Sequence, residues 1–193
     1  MPKIVDRTEH RELILARSYE LFAREGYAAV TLRRLAKELG ISTGAIYHYF
    51  SSKEEIFEET VAYIARRELM LAVAEVTSKR TRRERLESLT KFLVEHDEEL
   101  RLLLLLVLDL YRHNPNLLES STFELALDTY VEAIVVNLPD IPRDGARFAV
   151  DMLLGAIVRR LIVRRDDDFQ AHIQWLSSLV NELAEDGDAP PDD

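Results

Sequence analysis

The stretch from Thr31 to Phe57, TLRRLAKELGISTGAIYHYFSSKEEIF, constrains the fold more than any other part of this 193-residue chain. Leu32, Leu35, Ala36 and Leu39 recur at i, i+3, i+4 and i+7, which gives a helix one apolar face. Gly40 stands where a helix C-terminus favours a residue tolerant of positive φ. Ile41 plugs the turn, and the Ser42 hydroxyl can cap the next helix. Two short helices across a Gly-containing turn make a helix-turn-helix, and its second helix is dimensioned for the DNA major groove.

The rest of the pattern is helical. A first helix is expected from about Arg7 to Glu25, with Ile14, Leu15, Ser18, Leu21 and Phe22 facing inward and Gly26 ending it. Ser52-Lys53-Glu54-Glu55 reads as a capping box, with Ser52 and Glu55 serving opposite orphan amides. It launches a long fourth helix to about Val76, and the polar stretch Thr77 to Thr81 breaks it. Further helices are expected over about Arg83–His96, Glu98–Arg112, Leu118–Asn137, Arg143–Val163 and Phe169–Ala184. Asn114-Pro115-Asn116 and Leu138-Pro139-Asp140-Ile141-Pro142 separate them as stops. No strand pattern, internal repeat or GxGxxG loop is present. The predicted fold is all-α: a three-helix DNA-binding domain over 1–52, then a larger helical effector-binding and dimerisation domain over 53–185. Residues 186–193 read as a disordered acidic tail.

Charge separates these parts. The net charge of −10 divides into +1 for residues 1–55, which hold nine Lys/Arg and eight Asp/Glu, and −11 for the remainder. Only the first part suits a polyanion, so the pattern fits a small reading head rather than nonspecific coating of nucleic acid. The absence of cysteine excludes disulfides, thiolate catalysis and Cys-ligated zinc. MPKIVDRTEH has no apolar signal core, and the longest apolar run, Leu102 to Leu108, is too short to span a bilayer. A cytoplasmic protein without membrane contact is expected.

The expected DNA contacts follow from side-chain chemistry. Ser42, Thr43, Gly44 and Ala45 are small, which lets the helix approach base edges closely. The Thr43 hydroxyl can bond bases, a methyl of Thr43 or Ala45 can meet a thymine methyl, and His48 can reach a base or phosphate. Tyr47 and Tyr49 offer hydroxyls to phosphate oxygens, which position without specifying. Thr31 and Lys53 bracket the motif as phosphate clamps, and Arg33 and Arg34 follow Thr31. The second helix of the motif has no Arg or Lys, so DNA shape and two-copy avidity are expected to contribute to specificity.

The combined pattern of Thr31, Leu35-Ala36, Gly40-Ile41-Ser42, Gly44, Ile46-Tyr47, Tyr49-Phe50 and Ser52-Lys53-Glu54 resembles the N-terminal domain of TetR/AcrR-type transcriptional regulators. With Ile14-Leu15, Leu21-Phe22 and Gly26-Tyr27 the resemblance covers about a quarter of the chain. Arg17 departs from it, standing where the family usually has a small residue. The resemblance implies that the Arg33 position reaches a base or phosphate. It also implies a homodimer on a palindromic operator, and repression as the commoner mode. The final helices can supply the pairing: Ala146, Ala149, Met152, Leu153, Ala156, Ile157 and Leu161 form one stripe, opened by Gly155. Ile173, Leu176, Leu179, Val180 and Leu183 form another beside Trp175, and two such helices per chain make a four-helix bundle.

The central helices are expected to enclose a pocket for a lipophilic or amphipathic small-molecule effector. Its candidate lining is Tyr63, Arg67, Phe92, His96, Tyr111, His113, Phe123 and Tyr130. No cofactor is expected. An enzyme is disfavoured, because His10, His48, His96, His113 and His172 are dispersed and none forms an HExxH pair. No metal site is expected either: His96-Asp97-Glu98-Glu99 has ligand types but reads as a solvated helix junction. The alternatives are a transcriptional activator, a corepressor-dependent regulator, or a helical interaction adaptor that has lost DNA binding.

Overall fold

A computed structural model describes residues 7–113, 122–163 and 167–186, without the side chains of 122–126, 167 and 183–186. Among the described residues the chain forms nine α-helices and no strand. They are α1 (Arg7–Glu25), α2 (Leu32–Leu39), α3 (Thr43–Tyr47), α4 (Lys53–Thr77), α5 (Arg82–Glu95), α6 (Asp97–His113), α7 (Thr122–Asn137), α8 (Arg143–Ile162) and α9 (Asp167–Asp186). The expected stop at Asn114-Pro115-Asn116, the start of the seventh helix at Leu118 and the tail 187–193 lie outside the described residues.

Two compact units emerge. The first joins Met1–Glu68 to Leu105–Pro115, and the second joins Leu69–Leu104 to Asn116–Asp193. The unit that holds the helix-turn-helix thus runs past residue 52 into α4 and also takes in the end of α6.

In the first unit α1 buries Ile14, Leu15, Ser18, Leu21 and Phe22, the stripe its periodicity predicts. Gly26, at φ 77, ends the helix and donates its N–H to the Phe22 carbonyl. Tyr27 in the following turn is 7% exposed and anchors an aromatic cluster. Its ring centroid lies 4.7 Å from that of Phe57, and Phe22 meets Phe57 edge-on at 4.7 Å. Such edge and tilted geometries suit the ring quadrupoles. Val30, Leu35, Ala36, Ile46, Phe50, Ile56, Val61, Ile64 and Leu106 are buried in the same unit.

The second unit packs α5, α7, α8 and α9 on one another. Leu86, Val131, Leu138, Ile141, Ala146, Ala149, Val150 and Val180 form one apolar cluster. Phe92, Leu93, Ile157, Phe169 and Ile173 form a second.

Capping differs from expectation at two places. At α4 the Ser52 hydroxyl does accept the Glu55 N–H, at 3.1 Å, but the Glu55 carboxylate takes the N–H and O–H of Ser51, both at 2.6 Å. The Arg11 guanidinium also reaches Glu55, so the carboxylate is held by partners other than the Ser52 amide. The reciprocal box occurs instead at Thr81 and Glu84, where α5 starts at the end of the polar stretch. The His96–Glu99 junction is not wholly solvated: the Asp97 side chain is 15% exposed and pairs with Arg160 of α8.

Candidate nucleic-acid interface

The helix-turn-helix is set by bonds within a few residues of one another. The Thr31 Oγ1 accepts the Arg34 N–H at 3.2 Å and caps α2. Gly40 ends α2 at φ 68, ψ 24, the left-handed region that a residue without Cβ enters at little cost. The Gly40 N–H bonds the Lys37 carbonyl and the Ile41 N–H bonds that of Ala36, the paired closure of a Schellman motif. Ser42 then caps α3, its Oγ accepting the Ala45 N–H at 3.0 Å. In both caps the oxygen is the acceptor, which leaves the hydroxyl hydrogen of Thr31 and Ser42 free to serve an outside acceptor such as phosphate.

The exposed residues of this motif include Thr31, Arg33, Ser42, Gly44, Tyr47 and His48, with Thr43, Ala45 and Tyr49 half-buried. Tyr47 is 56% exposed although large and aromatic. Ile46 and Phe50 on the other face are buried. The C-terminal end of α3 is held from α1 by three residues for which no short sequence motif gives a signal. Arg7 donates to the His48 carbonyl at 3.3 Å, and Arg11 donates to the Tyr49 carbonyl. Arg11 also pairs with Glu59 and lies 4.2 Å from the Phe50 ring centroid, while the His10 ring stacks on Tyr49.

Three cations expected at the interface thus differ in disposition. Arg33 is exposed. Arg34 is engaged by Glu25 at 2.9 Å and Glu38 at 2.8 Å, and both partners hold its proton more firmly. Lys53 donates to the Tyr27 carbonyl at 3.0 Å and lies 3.9 Å from the Tyr27 ring centroid, a cation–π contact.

Tyr27 therefore collects contacts from three elements. Its hydroxyl donates to Glu54 at 2.6 Å, and its backbone N–H donates to Asp109 of α6 at 2.8 Å. The His113 ring lies 4.8 Å from its own. Burial first, then the Glu54 carboxylate, push the Tyr27 phenol well above the usual tyrosine range. The same bond holds Glu54 below the usual carboxylate range.

The eight expected effector-lining residues are distributed over both units. Tyr63, Arg67, Tyr111 and His113 belong to the first. Arg67 is bonded to Glu68, Tyr111 is 42% exposed, and His113 packs on Tyr27 with its Nδ1 3.3 Å from Asp109. Phe92, His96 and Tyr130 belong to the second. Phe92 is core, stacked at 3.9 Å on His96, whose Nδ1 faces the Phe92 carbonyl; Tyr130 packs on the Leu86–Val180 cluster. The Phe123 side chain lies outside the described residues. A groove of about 470 Å³ between α5 and α9 is lined by Glu87, Thr90, Lys91, Val94, Glu95, Gln170, Gln174, Ser177 and Ser178, none of the eight. Among the described residues no group of three or more His, Cys, Asp or Glu is placed to hold a metal ion, and no helix is long and apolar enough to cross a membrane.

On α8, Ala146, Ala149 and Ile157 of the expected pairing stripe are buried in the monomer's own core. Met152 is 45% exposed, Gly155 faces open space, and Ala156 is half-buried against the second cluster. Phe148, Val158 and Ile162 extend the exposed face at 46%, 40% and 75%. On α9, Trp175 is 77% exposed, whereas Leu176 packs on the first cluster and Leu179 is half-buried.

Residues 14–60 match the family described as bacterial regulatory proteins, tetR family. Over 57 residues the chain is 44% identical to the HTH-type transcriptional repressor AcnR of Corynebacterium diphtheriae, covering 28% of this chain and 30% of that protein. Such matches span 19–44% of the relatives' own lengths, well short of two thirds. In fold the chain resembles a TetR transcription regulator from Haloarcula marismortui, with a TM-score of 0.74 and 20% identity over 91% of this chain and 98% of that one. It also resembles a regulator from Saccharomonospora viridis solved in complex with choline, with a TM-score of 0.67 and 23% identity over 90% and 96% of the two chains.

Proposed function

We propose that this chain is a TetR/AcrR-type transcriptional regulator rather than an enzyme, and that it acts as a homodimeric repressor. On this reading it leaves a palindromic operator when a small lipophilic or amphipathic molecule binds its C-terminal helices. The observation that carries the proposal is the outward edge of the helix-turn-helix. Capping hydroxyls at Thr31 and Ser42, the small Gly44 and the exposed Tyr47 and His48 lie on a motif whose other side buries Leu35, Ala36, Ile46 and Phe50. Small residues and hydroxyls at that edge admit close approach to base edges, and the Tyr47 phenol suits a phosphate. Arg33 supplies the uncommitted charge. Thr43, Ala45 and Tyr49 follow on the same short helix and its exit, and Lys53 can exchange the Tyr27 carbonyl for a phosphate oxygen.

One short reading helix contacts few base pairs, so two copies on a symmetric site supply the specificity. The pairing surface we assign is the exposed α8 face of Phe148, Met152, Gly155, Val158 and Ile162 together with Trp175 of α9. Large apolar side chains exposed in this number on two helices are costly in a free monomer. Repression is supported by the name of the AcnR relative, and a small-molecule effector by the choline complex of the Saccharomonospora neighbour. A ligand that prefers one spacing of the two heads shifts the population away from the DNA-competent form, and α4 is the lever because it contributes to both units.

In vitro selection of bound duplexes from a random library, at two salt concentrations, tests this. The expected result is an enriched palindrome with half-sites about one helical turn or more apart. Absence of enrichment at both salts would overturn the reading.

A further inference from the structure

The groove of about 470 Å³ between α5 and α9 lies within the second unit and takes none of its walls from the eight effector candidates. The two helices meet along an apolar seam, Leu86 with Val180 in one cluster and Phe92 and Leu93 with Ile173 in the other. Outside that seam both helices turn polar. Thr90 and Ser177, each half-buried, are too short to close the space between them. Glu87, Lys91 and Glu95 recur at i, i+4 and i+8 along one bank, and Gln170, Gln174 and Ser178 do the same along the other. The Arg82 guanidinium donates to the Asn181 side chain at 2.9 Å and bridges the two helices beyond Glu87 and Ser178. That bridge stands across the path of a chain molecule laid along the groove, so the space suits a compact ligand. Its volume falls within the range of about 300–1,000 Å³ that small-molecule sites occupy.

Charge and hydrogen-bonding capacity decide the class of ligand. Glu87 is paired with Arg83 at 2.8 Å and Glu95 with Lys91 at 3.7 Å, so each carboxylate on the bank already has its cation. A cationic ligand would have to displace one of these partners, and an anionic one would face both carboxylates. The rest of the wall is uncharged. The side chains of Thr90, Gln170, Gln174 and Ser177 have no hydrogen-bond partner among the described residues. The Ser178 hydroxyl donates to the Gln174 carbonyl at 3.1 Å, which leaves its oxygen as an acceptor. Hydroxyls and primary amides each donate and accept, the same double capacity that a ligand hydroxyl has. Val94 adds an apolar patch for a C–H face. We propose that this groove binds a small neutral polyhydroxylated molecule, such as a monosaccharide or an inositol. The site stands apart from the operator and effector readings and depends on neither.

The test titrates the full, nitrogen-15-labelled chain by NMR with two neutral probes, glucose and myo-inositol. Two charged analogues, glucosamine and glucose 6-phosphate, serve as comparators. At least one neutral probe is expected to give saturable shifts at the side-chain amides of Gln170 and Gln174 and the backbone amides of Thr90 and Ser177. Neither charged analogue is expected to bind more tightly than glucose. Gln174→Ala, a change at an exposed side chain, should weaken binding about fivefold, the net contribution of one hydrogen bond. Ser177→Leu fills the floor of the groove and should abolish binding. No saturable shift with either neutral probe leaves only a solvated groove and overturns the proposal. Shifts confined to other residues, or a charged analogue bound about tenfold more tightly than glucose, overturn it equally. So does wild-type affinity in Ser177→Leu; should that variant fail to fold, undiminished binding by Gln174→Ala decides against the site.

Discussion

Replacing Asp109 by alanine removes the acceptor for the Tyr27 backbone N–H, a 2.8 Å bond between residues 82 apart in the chain. Tyr27 is 7% exposed, so the orphaned N–H has little access to water. A hydrogen bond to a charged acceptor contributes about 1.5–3 kcal/mol, and a buried donor left unmet costs about 1–3 kcal/mol. The Asp109 side chain is itself 26% exposed, so water can take over part of its role. The low end, about 1.5 kcal/mol, is the expected loss for Asp109→Ala. Asp109→Asn keeps an oxygen acceptor without the charge and should lose roughly half of that. The direct assay is amide hydrogen exchange at Tyr27, read at fixed protein concentration beside urea unfolding. A loss of about 1.5 kcal/mol lowers Tyr27 protection roughly tenfold. Unchanged Tyr27 protection in Asp109→Ala, with the bond lost and the fold retained, would refute the view that α6 holds the turn leading into the helix-turn-helix.

Arg33→Ala should weaken binding to all DNA sequences alike and reduce the slope of log affinity against log salt by about one, whereas Arg34→Ala, already paired with Glu25 and Glu38, should leave that slope unchanged. Equal slopes for the two variants in a salt titration would remove the distinction between them. Phe148→Glu places a charge on the assigned pairing face and should weaken the dimer about a hundredfold, the range of an aromatic hot spot, as read by sedimentation. An unaltered dimer would shift the interface elsewhere. Glu54 and Glu55 lie below the usual carboxylate range because the Tyr27 hydroxyl donates to the first and the Ser51 hydroxyl to the second. Their folded values lie under the unfolded one of about 4.3, so their contribution is fully present above that pH and is lost as pH falls through the folded values. Urea midpoints should therefore be level towards neutrality and drop in acid, with a shallower drop in Glu55→Gln.

What the amino-acid order determined by itself is what bonds within four residues can build. The inward stripe of α1, the Gly40 closure of α2 and the Thr31 and Ser42 caps depend on neighbours three or four positions away. Periodicity and residue type carry that information, so the all-α fold and the helix-turn-helix were legible. The Thr81–Glu84 box is equally local, but its polar surroundings read as a break.

The tertiary structure decided everything that depends on partners far along the chain. Arg33 and Arg34 are adjacent and chemically alike, yet Glu25, on the far side of the turn, engages only the second. Lys53 belongs to a capping pattern, but the carbonyl it meets is that of Tyr27. The periodicity of α8 marks apolar positions without saying which lie against α7 and α9 and which stay exposed, so Ala149 and Met152, both on the expected stripe, look alike until the helices pack. Nothing in the run Arg66-Arg67-Glu68 distinguishes a solvated charge from one at 2% exposure. Burial is a property of what arrives on top of a residue, and sequence spacing along one helix is silent about that.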